Sequence, residues 1–116
     1  MRETSSNFAE VRFIDRDEII RDLRQAVAEA KSRYPEIVKV YLFGSFVQGT
    51  WTADSDADLI VVVRREFTNF LDRGEYWIHT KSIPTDALVY SEAEFDQLTR
   101  DRESFLAQNL TLALEL

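Results

Sequence analysis

Apolar residues near the start of the chain recur with the period of a helix. From about Asp15 to Tyr34 they are three or four residues apart, with charged residues between them. We expect Asp15 or Asp17 to cap this helix and Pro35 to end it. The residues expected on its buried side are Ile20, Leu23, Val27 and Ala30.

Three short apolar runs follow, each with the composition of a strand. Val38–Phe43 is rich in β-branched and aromatic residues, and Asp58–Val63 is almost wholly apolar after its first residue. A run without polar alternation is typical of a strand buried on both faces, so we place Asp58–Val63 at the centre of a sheet. Ile83–Tyr90 predicts a third strand, and Pro84 near its start suggests an edge or strand-entry position.

The remaining segments predict helix and loop. Residues 64–81 carry loosely spaced apolar residues interrupted by Gly74, which fits a short helix or an ordered loop. Ser91 followed by Glu94 is the pattern of a capping box, and it predicts that a C-terminal helix begins there. Residues 110–116 are apolar, which suits either helix packing or a contact with another chain. We expect the buried side of the C-terminal helix to contain Phe95, Leu98, Phe105, Leu106 and Leu110.

This order of elements predicts a single α/β (α+β) domain over residues 1–116, with a small mixed sheet packed against helices. The chain has 116 residues, of which 45% are hydrophobic and none is cysteine, so it can bury a core without disulfides or thiolate metal sites. Residues 1–6 are polar and lack an apolar signal core. No run approaches the roughly 20 apolar residues of a membrane span, so we expect a cytoplasmic protein without a membrane partner.

The charge balance bears on possible partners. The chain has 21 acidic and 14 basic residues, for a net charge of −7, and only three of the basic residues are lysines. Nucleic acids are bound mainly through clustered Lys and Arg, so direct nucleic-acid binding is not expected. A nucleoside triphosphate remains a possible ligand because a divalent metal ion can bridge two anionic groups.

A glycine–serine pair directly after the first strand is one candidate ligand site. Gly44 would let backbone N–H groups approach a ligand closely, and Ser45 adds a hydroxyl donor. Exposed N–H groups at the start of a helical turn bind phosphate. Taken alone, the pair is more often an ordinary turn.

Three aspartates form a second candidate site. Asp56 and Asp58 are two residues apart at a strand start, so their side chains point to one face, where Mg²⁺ would relieve the repulsion between them. Asp86 lies in the largely apolar third strand, where an unpaired carboxylate is costly, and it faces the same site if the two strands are neighbours. The alternatives are a solvated turn for the first two and, for Asp86, an edge charge that deters aggregation.

Several aromatic residues and the single histidine have two interpretations each. Trp51 either stacks on a base or packs beneath the loop that contains it. Phe70, Tyr76 and Trp77 either form a patch that faces a partner or cover the sheet as part of the core, and we favour the core interpretation. His79 lies in a polar loop, where a substrate contact is less expected than the absence of a specific role.

The combined motif resembles the nucleotidyltransferase pattern of the DNA polymerase β superfamily. It consists of Gly44-Ser45, ten intervening residues, Asp56-Ala57-Asp58 and the later strand residue Asp86. The strong part of the resemblance covers residues 38–63, and a weaker part covers residues 83–98. In size the chain is similar to the minimal members of that superfamily, the MNT domains, which are often encoded beside HEPN-domain toxins. The resemblance therefore implies a nucleotidyltransferase fold.

The resemblance also implies an activity. It is that of a Mg²⁺-dependent enzyme that transfers a nucleoside monophosphate, expected to be AMP from ATP, to a hydroxyl of a partner protein. Asp56 and Asp58 would hold the Mg²⁺ that grips the triphosphate, and Asp86 would complete a second Mg²⁺ site and accept the proton of the attacking hydroxyl. Gly44 and Ser45 would orient the β- and γ-phosphates. The implied partner is a HEPN-type toxin, with this chain as its antitoxin.

The sequence departs from that pattern in one place and leaves other functions open. Many relatives carry an arginine close to the second glycine, where this chain has Val47-Gln48-Gly49. From its length we also expect no extra substrate-binding domain of the kind that larger relatives carry. One alternative is a non-catalytic module that neutralises or scaffolds a partner, and another is the catalytic subunit of a small-molecule (antibiotic-type) nucleotidyltransferase. A homo-oligomer also remains open.

Overall fold

A four-stranded mixed sheet with strand order β3-β2-β1-β4 organises the fold in this computed structural model, which describes residues 15–52 and 54–116. The polar first residues and Ala53 of the motif loop lie outside the described residues. The α/β fold class with a small mixed sheet is confirmed. In chain order the elements are α1 (Arg16–Arg33), β1 (Ile37–Phe43), α2 (Ser45–Gln48), β2 (Ala57–Val63), a 3₁₀ helix (Phe70–Tyr76), β3 (Thr85–Ser91), α3 (Glu92–Arg100), α4 (Phe105–Leu110) and β4 (Leu114–Glu115).

Helix α1 forms as its apolar period predicts. The Asp15 side chain caps it by accepting a hydrogen bond from the N–H of Asp17, and the helix ends one residue before Tyr34. Its buried side is centred one position earlier than expected, since Ile20 and Ala30 are only partly buried. The residues that pack fully into the core are Ile19, Leu23 and Val27.

Strand β2 is the internal strand that its unbroken apolar run predicts. It pairs antiparallel with β1 and parallel with β3, so both of its edges are hydrogen-bonded. Leu59, Val61 and Val63 point towards the core that contains α1. Ile60 and Val62 point to the opposite face, where the core also contains Phe43 and Leu106 of α4. Helices therefore cover both faces of the sheet.

Strand β3 lies at the edge of the sheet, as Pro84 indicated. Beside it, residues 70–76 form the 3₁₀ helix, so the segment that was open between helix and loop is a short helix. Tyr76 fixes this helix to the core. Its buried hydroxyl donates a hydrogen bond to Glu36 at 2.6 Å and accepts one from Arg65 at 3.1 Å.

The C-terminal part differs most from the sequence expectation. The capping box of Ser91 and Glu94 is present, but α3 ends at Arg100 and a second helix, α4, begins after Ser104. The side chain of Ser104 caps α4, and this local signal breaks the single helix that the apolar spacing predicted. The break turns two expected core residues outward, since Leu98 is 37% exposed and Phe105 is 59% exposed.

The apolar tail adds a strand that the sequence analysis did not predict. Leu114 pairs with Leu42 of β1, and the N–H of Leu116 donates to the carbonyl of Val40 at 2.8 Å. Tail packing within the chain therefore accounts for these leucines. Across residues 15–52 and 54–116, no helix is both long and apolar enough to cross a bilayer.

Candidate active site

Two of the three candidate aspartates face one another across a pair of strands. Asp58 of β2 and Asp86 of β3 are register partners in the parallel ladder, so their Cα atoms are separated by about one strand spacing, roughly 5 Å. Register partners point to the same face of a sheet. Asp56 directly precedes β2 and is exposed, as is Asp86, whereas Asp58 is half-buried. The pairing of β2 with β3 therefore brings the sequence-predicted carboxylates to one place.

The closeness of these carboxylates affects the electrostatics of Asp58. Partial burial raises the pKa of Asp58 above its usual value, and the negative charges of Asp86 and Asp56 raise the pKa further. Each of these causes disfavours the ionised form of Asp58. A cation at this position would oppose all three effects.

Gly44 is packed against the carboxylate of Asp58. Its φ of 80° and ψ of −149° lie in a region that only glycine adopts readily. A Cβ atom placed on Gly44 would overlap Oδ2 of Asp58 and would lie 3.3 Å from its Cγ. The glycine after β1 is thus required by the neighbouring carboxylate, a contact that the sequence analysis did not foresee.

Ser45 begins the helical turn α2, which ends at Gly49 in a left-handed conformation with φ of 81°. The first N–H groups of a helix have no partner within the helix, so those of Ser45 and Phe46 are available to other acceptors. The expected turn after Gly44 is present. The turn follows the end of β1, and Asp58 lies beside that end, because Phe43 and Asp58 are register partners.

Two further residues hold this turn in place. Arg16 of α1 donates a hydrogen bond from Nε to the carbonyl of Phe46 at 3.1 Å. Trp51 stacks on the buried Phe46 ring, with centroids 4.9 Å apart and planes inclined by 13°. Trp51 is partly buried against the core, which agrees with the packing interpretation. Arg16 was missed because its contact spans 30 residues and has no local sequence signal.

Other aromatic residues lie around the site. Phe105 stands edge-on to Phe43, the register partner of Asp58, with ring centroids 6.1 Å apart. Tyr76 belongs to the core as favoured, but Phe70 is 77% exposed and Trp77 is 37% exposed, so the core interpretation was wrong for Phe70. His79 is exposed and stacks on Trp77.

The aspartates do not form a complete metal ligand set as they stand. In the part of the chain that the structure describes, no three histidine, cysteine or acidic side chains converge on one point in the way a bound metal requires. The donor chemistry nevertheless suits a hard divalent cation, because all three side chains offer carboxylate oxygens. Asp56 and Asp86 are both exposed.

Comparison with known proteins identifies the family. The nucleotidyltransferase domain family matches residues 23–110, which include β1, the Gly44-Ser45 turn and all three aspartates. The chain therefore belongs to the nucleotidyltransferase domain family and is a nucleotidyltransferase. The resemblance inferred from the motif spacing is confirmed.

Individual relatives agree with this assignment. A protein of Methanocaldococcus jannaschii, whose name gives it an inferred protein adenylyltransferase activity, is 30% identical over 76 residues, which are 65% of this chain and 76% of the relative. A crystal structure of an inferred nucleotidyltransferase from Sulfolobus solfataricus is 29% identical and superposes with a TM-score of 0.51, covering 67% of this chain and 74% of that one. A mutant toxin–antitoxin complex named MntA–HpeT is 23% identical, with a TM-score of 0.46 over 89% of this chain and 72% of that one. At that score, the last similarity bears no argument.

Proposed function

We propose that this nucleotidyltransferase transfers AMP from ATP to a hydroxyl group of a partner protein, with Asp56, Asp58 and Asp86 as its catalytic residues. The observation that carries the proposal is the register of β2 and β3, which pairs Asp58 with Asp86 beside the Gly44 turn. The name of the M. jannaschii relative supports a protein as the acceptor.

The three aspartates fit a divalent cation, which we propose to be Mg²⁺. Asp58 is held against Gly44 and has a raised pKa because of burial and of the two neighbouring carboxylates. Such a group is more easily kept ionised by a bound cation than by water alone. When bound, Mg²⁺ would neutralise the triphosphate and lower the pKa of the attacking hydroxyl.

The chain's own residues would perform the remaining steps. The acceptor oxygen forms a bond to the α-phosphorus of ATP while the bond from that phosphorus to the bridging oxygen breaks, and pyrophosphate leaves. Asp86, which is exposed at the edge of the site, accepts the proton of the acceptor hydroxyl. Gly44 and Ser45, at the start of α2, orient the β- and γ-phosphates. Holding both reactants in line supplies much of the rate enhancement.

The partner proposed here is a HEPN-type protein encoded beside this chain, which the chain would act on as an antitoxin. This assignment rests on the resemblance of the motif to MNT domains. The net charge of −7 supports it, because a nuclease that binds RNA has a basic surface and an acidic partner would complement that surface.

The test is incubation of the protein with labelled ATP, Mg²⁺ and the protein encoded next to it. We expect label on the neighbouring protein with wild type, and a loss of about 10²–10⁴-fold with Asp86→Asn, as for removal of a general base. Asp56→Ala/Asp58→Ala should abolish transfer. Asp54→Asn, which alters an exposed carboxylate of the same loop, is the matched control and should retain transfer.

One observation favours a second candidate function, that of a non-catalytic binding module. The resemblance implies an arginine close to the second glycine, and this chain has Val47-Gln48-Gly49 there, at the end of α2. If wild type and Asp56→Ala/Asp58→Ala bind the neighbouring protein equally and neither labels it, AMP transfer to that protein is refuted. The binding module then becomes the better explanation.

A further inference from the structure

An apolar groove lies between the 3₁₀ helix and β3. It has a volume of about 370 Å³. Phe70 and Leu71 of the 3₁₀ helix line it, and their side chains are 77% and 79% exposed. Leu88 of β3 also lines it and is 37% exposed. Exposed apolar side chains that cluster in a concave surface are typical of a binding site rather than of a folding core.

The groove lies along the edge of β3, and two of its lining residues share the strand face that carries Asp86, while Ala87 and Val89, which also line it, point to the other face. Side chains alternate along a strand, so Asp86, Leu88 and Tyr90 point to the same side of the sheet. Leu88 and Tyr90 line the groove, and Leu88 is about 7 Å along the strand from Asp86. An extended chain segment seated on Leu88 would therefore place a residue about two positions further along beside Asp86.

The walls of the groove are already fixed by hydrogen bonds. Arg73 of the 3₁₀ helix donates to the carbonyl of Val89 at 2.7 Å and forms two bonds with Glu94, at 2.8 and 2.7 Å. At the other end, Nε1 of Trp77 donates to the hydroxyl of Thr85 at 3.2 Å. A groove held at both ends needs little reorganisation to bind a ligand, which lowers the cost of binding.

The same bonds restrict how a ligand can bind. The carbonyl of Val89 points away from β2, towards the free edge of β3, and Arg73 already occupies it. Addition of a further strand along this edge would have to break that bond. Recognition through apolar side chains is therefore favoured over strand addition.

We propose that this groove is the docking surface for the acceptor protein, and that it binds an apolar segment next to the residue whose hydroxyl is modified. This inference rests on the proposed function, because it identifies the acceptor by its position beside Asp86. The surroundings are acidic on balance. Asp72 and Glu75 of the 3₁₀ helix share one cation, Arg65, and Arg73 is paired with Glu94, so three carboxylates face two guanidinium groups. The docked segment therefore carries basic rather than acidic side chains around its apolar residues.

Defined peptides test the proposal without knowledge of the natural acceptor. The first probe is a fluorescent peptide with a central tyrosine, three leucines on each side and a lysine at each end. The second replaces the leucines by serines, and the third replaces the lysines by glutamates. Binding is measured by fluorescence anisotropy, and transfer by incorporation of labelled AMP. We expect the first peptide to bind at least tenfold more tightly than either of the others.

Variants assign the binding to the groove. Phe70→Ser/Leu71→Ser removes two exposed apolar side chains that are not required for the core, so the fold should survive. This variant should lose the preference for the leucine peptide while keeping its affinity for labelled ATP with Mg²⁺. Leu112→Ser is the matched control, because Leu112 is 59% exposed and lies outside the groove. It should bind all three peptides as wild type does.

The outcomes separate this inference from the proposed function. Equal affinity of wild type for the leucine and serine peptides would overturn the docking surface, whatever the activity. A wild-type dimer that Phe70→Ser/Leu71→Ser converts to monomers would also overturn it, because a second copy would then occupy the groove. A leucine preference without AMP transfer by wild type would support the docking surface and refute the catalytic proposal instead.

Discussion

The contact between Gly44 and Asp58 allows a sharp test of how this site is built. Replacing Gly44 by alanine introduces a Cβ that overlaps Oδ2 of Asp58. The backbone conformation at this position costs a non-glycine residue about 1–3 kcal/mol. Turning the Asp58 side chain away from its present rotamer adds about 0.5–1.5 kcal/mol. We therefore expect Gly44→Ala to reduce the free energy of unfolding by about 1.5–4.5 kcal/mol.

Gly49→Ala provides the matched control. Gly49 also has a positive φ, at 81°, but a Cβ there would meet nothing within 4 Å. Its replacement should cost only the strain of a left-handed residue, about 1–2 kcal/mol. Nucleotide binding should survive in Gly49→Ala and weaken in Gly44→Ala, since only the latter displaces the Asp58 carboxylate.

The assay is urea unfolding of wild type, both glycine variants and the same variants in an Asp58→Ala background. Removing the carboxylate removes the overlap, so Gly44→Ala should cost about 0.5–1.5 kcal/mol less in that background. Gly49→Ala should cost the same in both backgrounds. The reasoning fails if the cost of Gly44→Ala does not depend on residue 58, or if it is no greater than that of Gly49→Ala.

Two further predictions concern the pH dependence of stability. The folded state raises the pKa of Asp58 above its unfolded value of 3.8, so the ionised carboxylate destabilises the fold at neutral pH, and this penalty is lost as the pH falls through the raised pKa. Asp58→Asn should therefore unfold at a higher temperature than wild type at pH 7, and the difference should disappear near pH 4. A difference in unfolding temperature that did not change across this range would contradict the argument. The hydrogen bonds from Arg73 lower the pKa of Glu94 to about 2, against an unfolded value of 4.5. The ionised Glu94 therefore contributes its full stabilisation above pH 4.5, and this stabilisation is lost as the pH falls towards 2. Glu94→Gln should cost about 1 kcal/mol at pH 7, because the amide oxygen can still accept the capping-box hydrogen bond but the ion pair of the partly exposed Glu94 with Arg73 is lost. Calorimetry that found this cost undiminished near pH 2 would refute the assignment.

The sequence predicts those features of the fold that have a local cause. The helical spacing of apolar residues predicted α1, and the unbroken run Asp58–Val63 predicted an internal strand. The capping box of Ser91 and Glu94 was recognisable because both of its hydrogen bonds join residues three apart. The motif also located the aspartates, since its spacing is a property of the chain alone.

Features that depend on distant contacts could not be predicted in this way. Periodicity shows which residues share a face of a strand, but it does not show which strands pair, so the register of Asp58 with Asp86 needed the structure. Apolar character alone does not separate a core residue from a groove residue, which is why Phe70 was assigned to the core. The strand Leu114–Glu115 is two residues long and exists only through its pairing with β1.

The spacing of the motif follows from the way the strands pair. The antiparallel pairing of β1 with β2 places Phe43 opposite Asp58, so the next residue, Gly44, must lie beside that carboxylate. The parallel pairing of β2 with β3 then places Asp86 on its other side. A slip of one residue in either pairing would turn Asp58 to the opposite face of the sheet and separate it from both neighbours. The glycine and the two aspartates therefore act as one unit, because the two registers of β2, with β1 and with β3, together determine the position of all three.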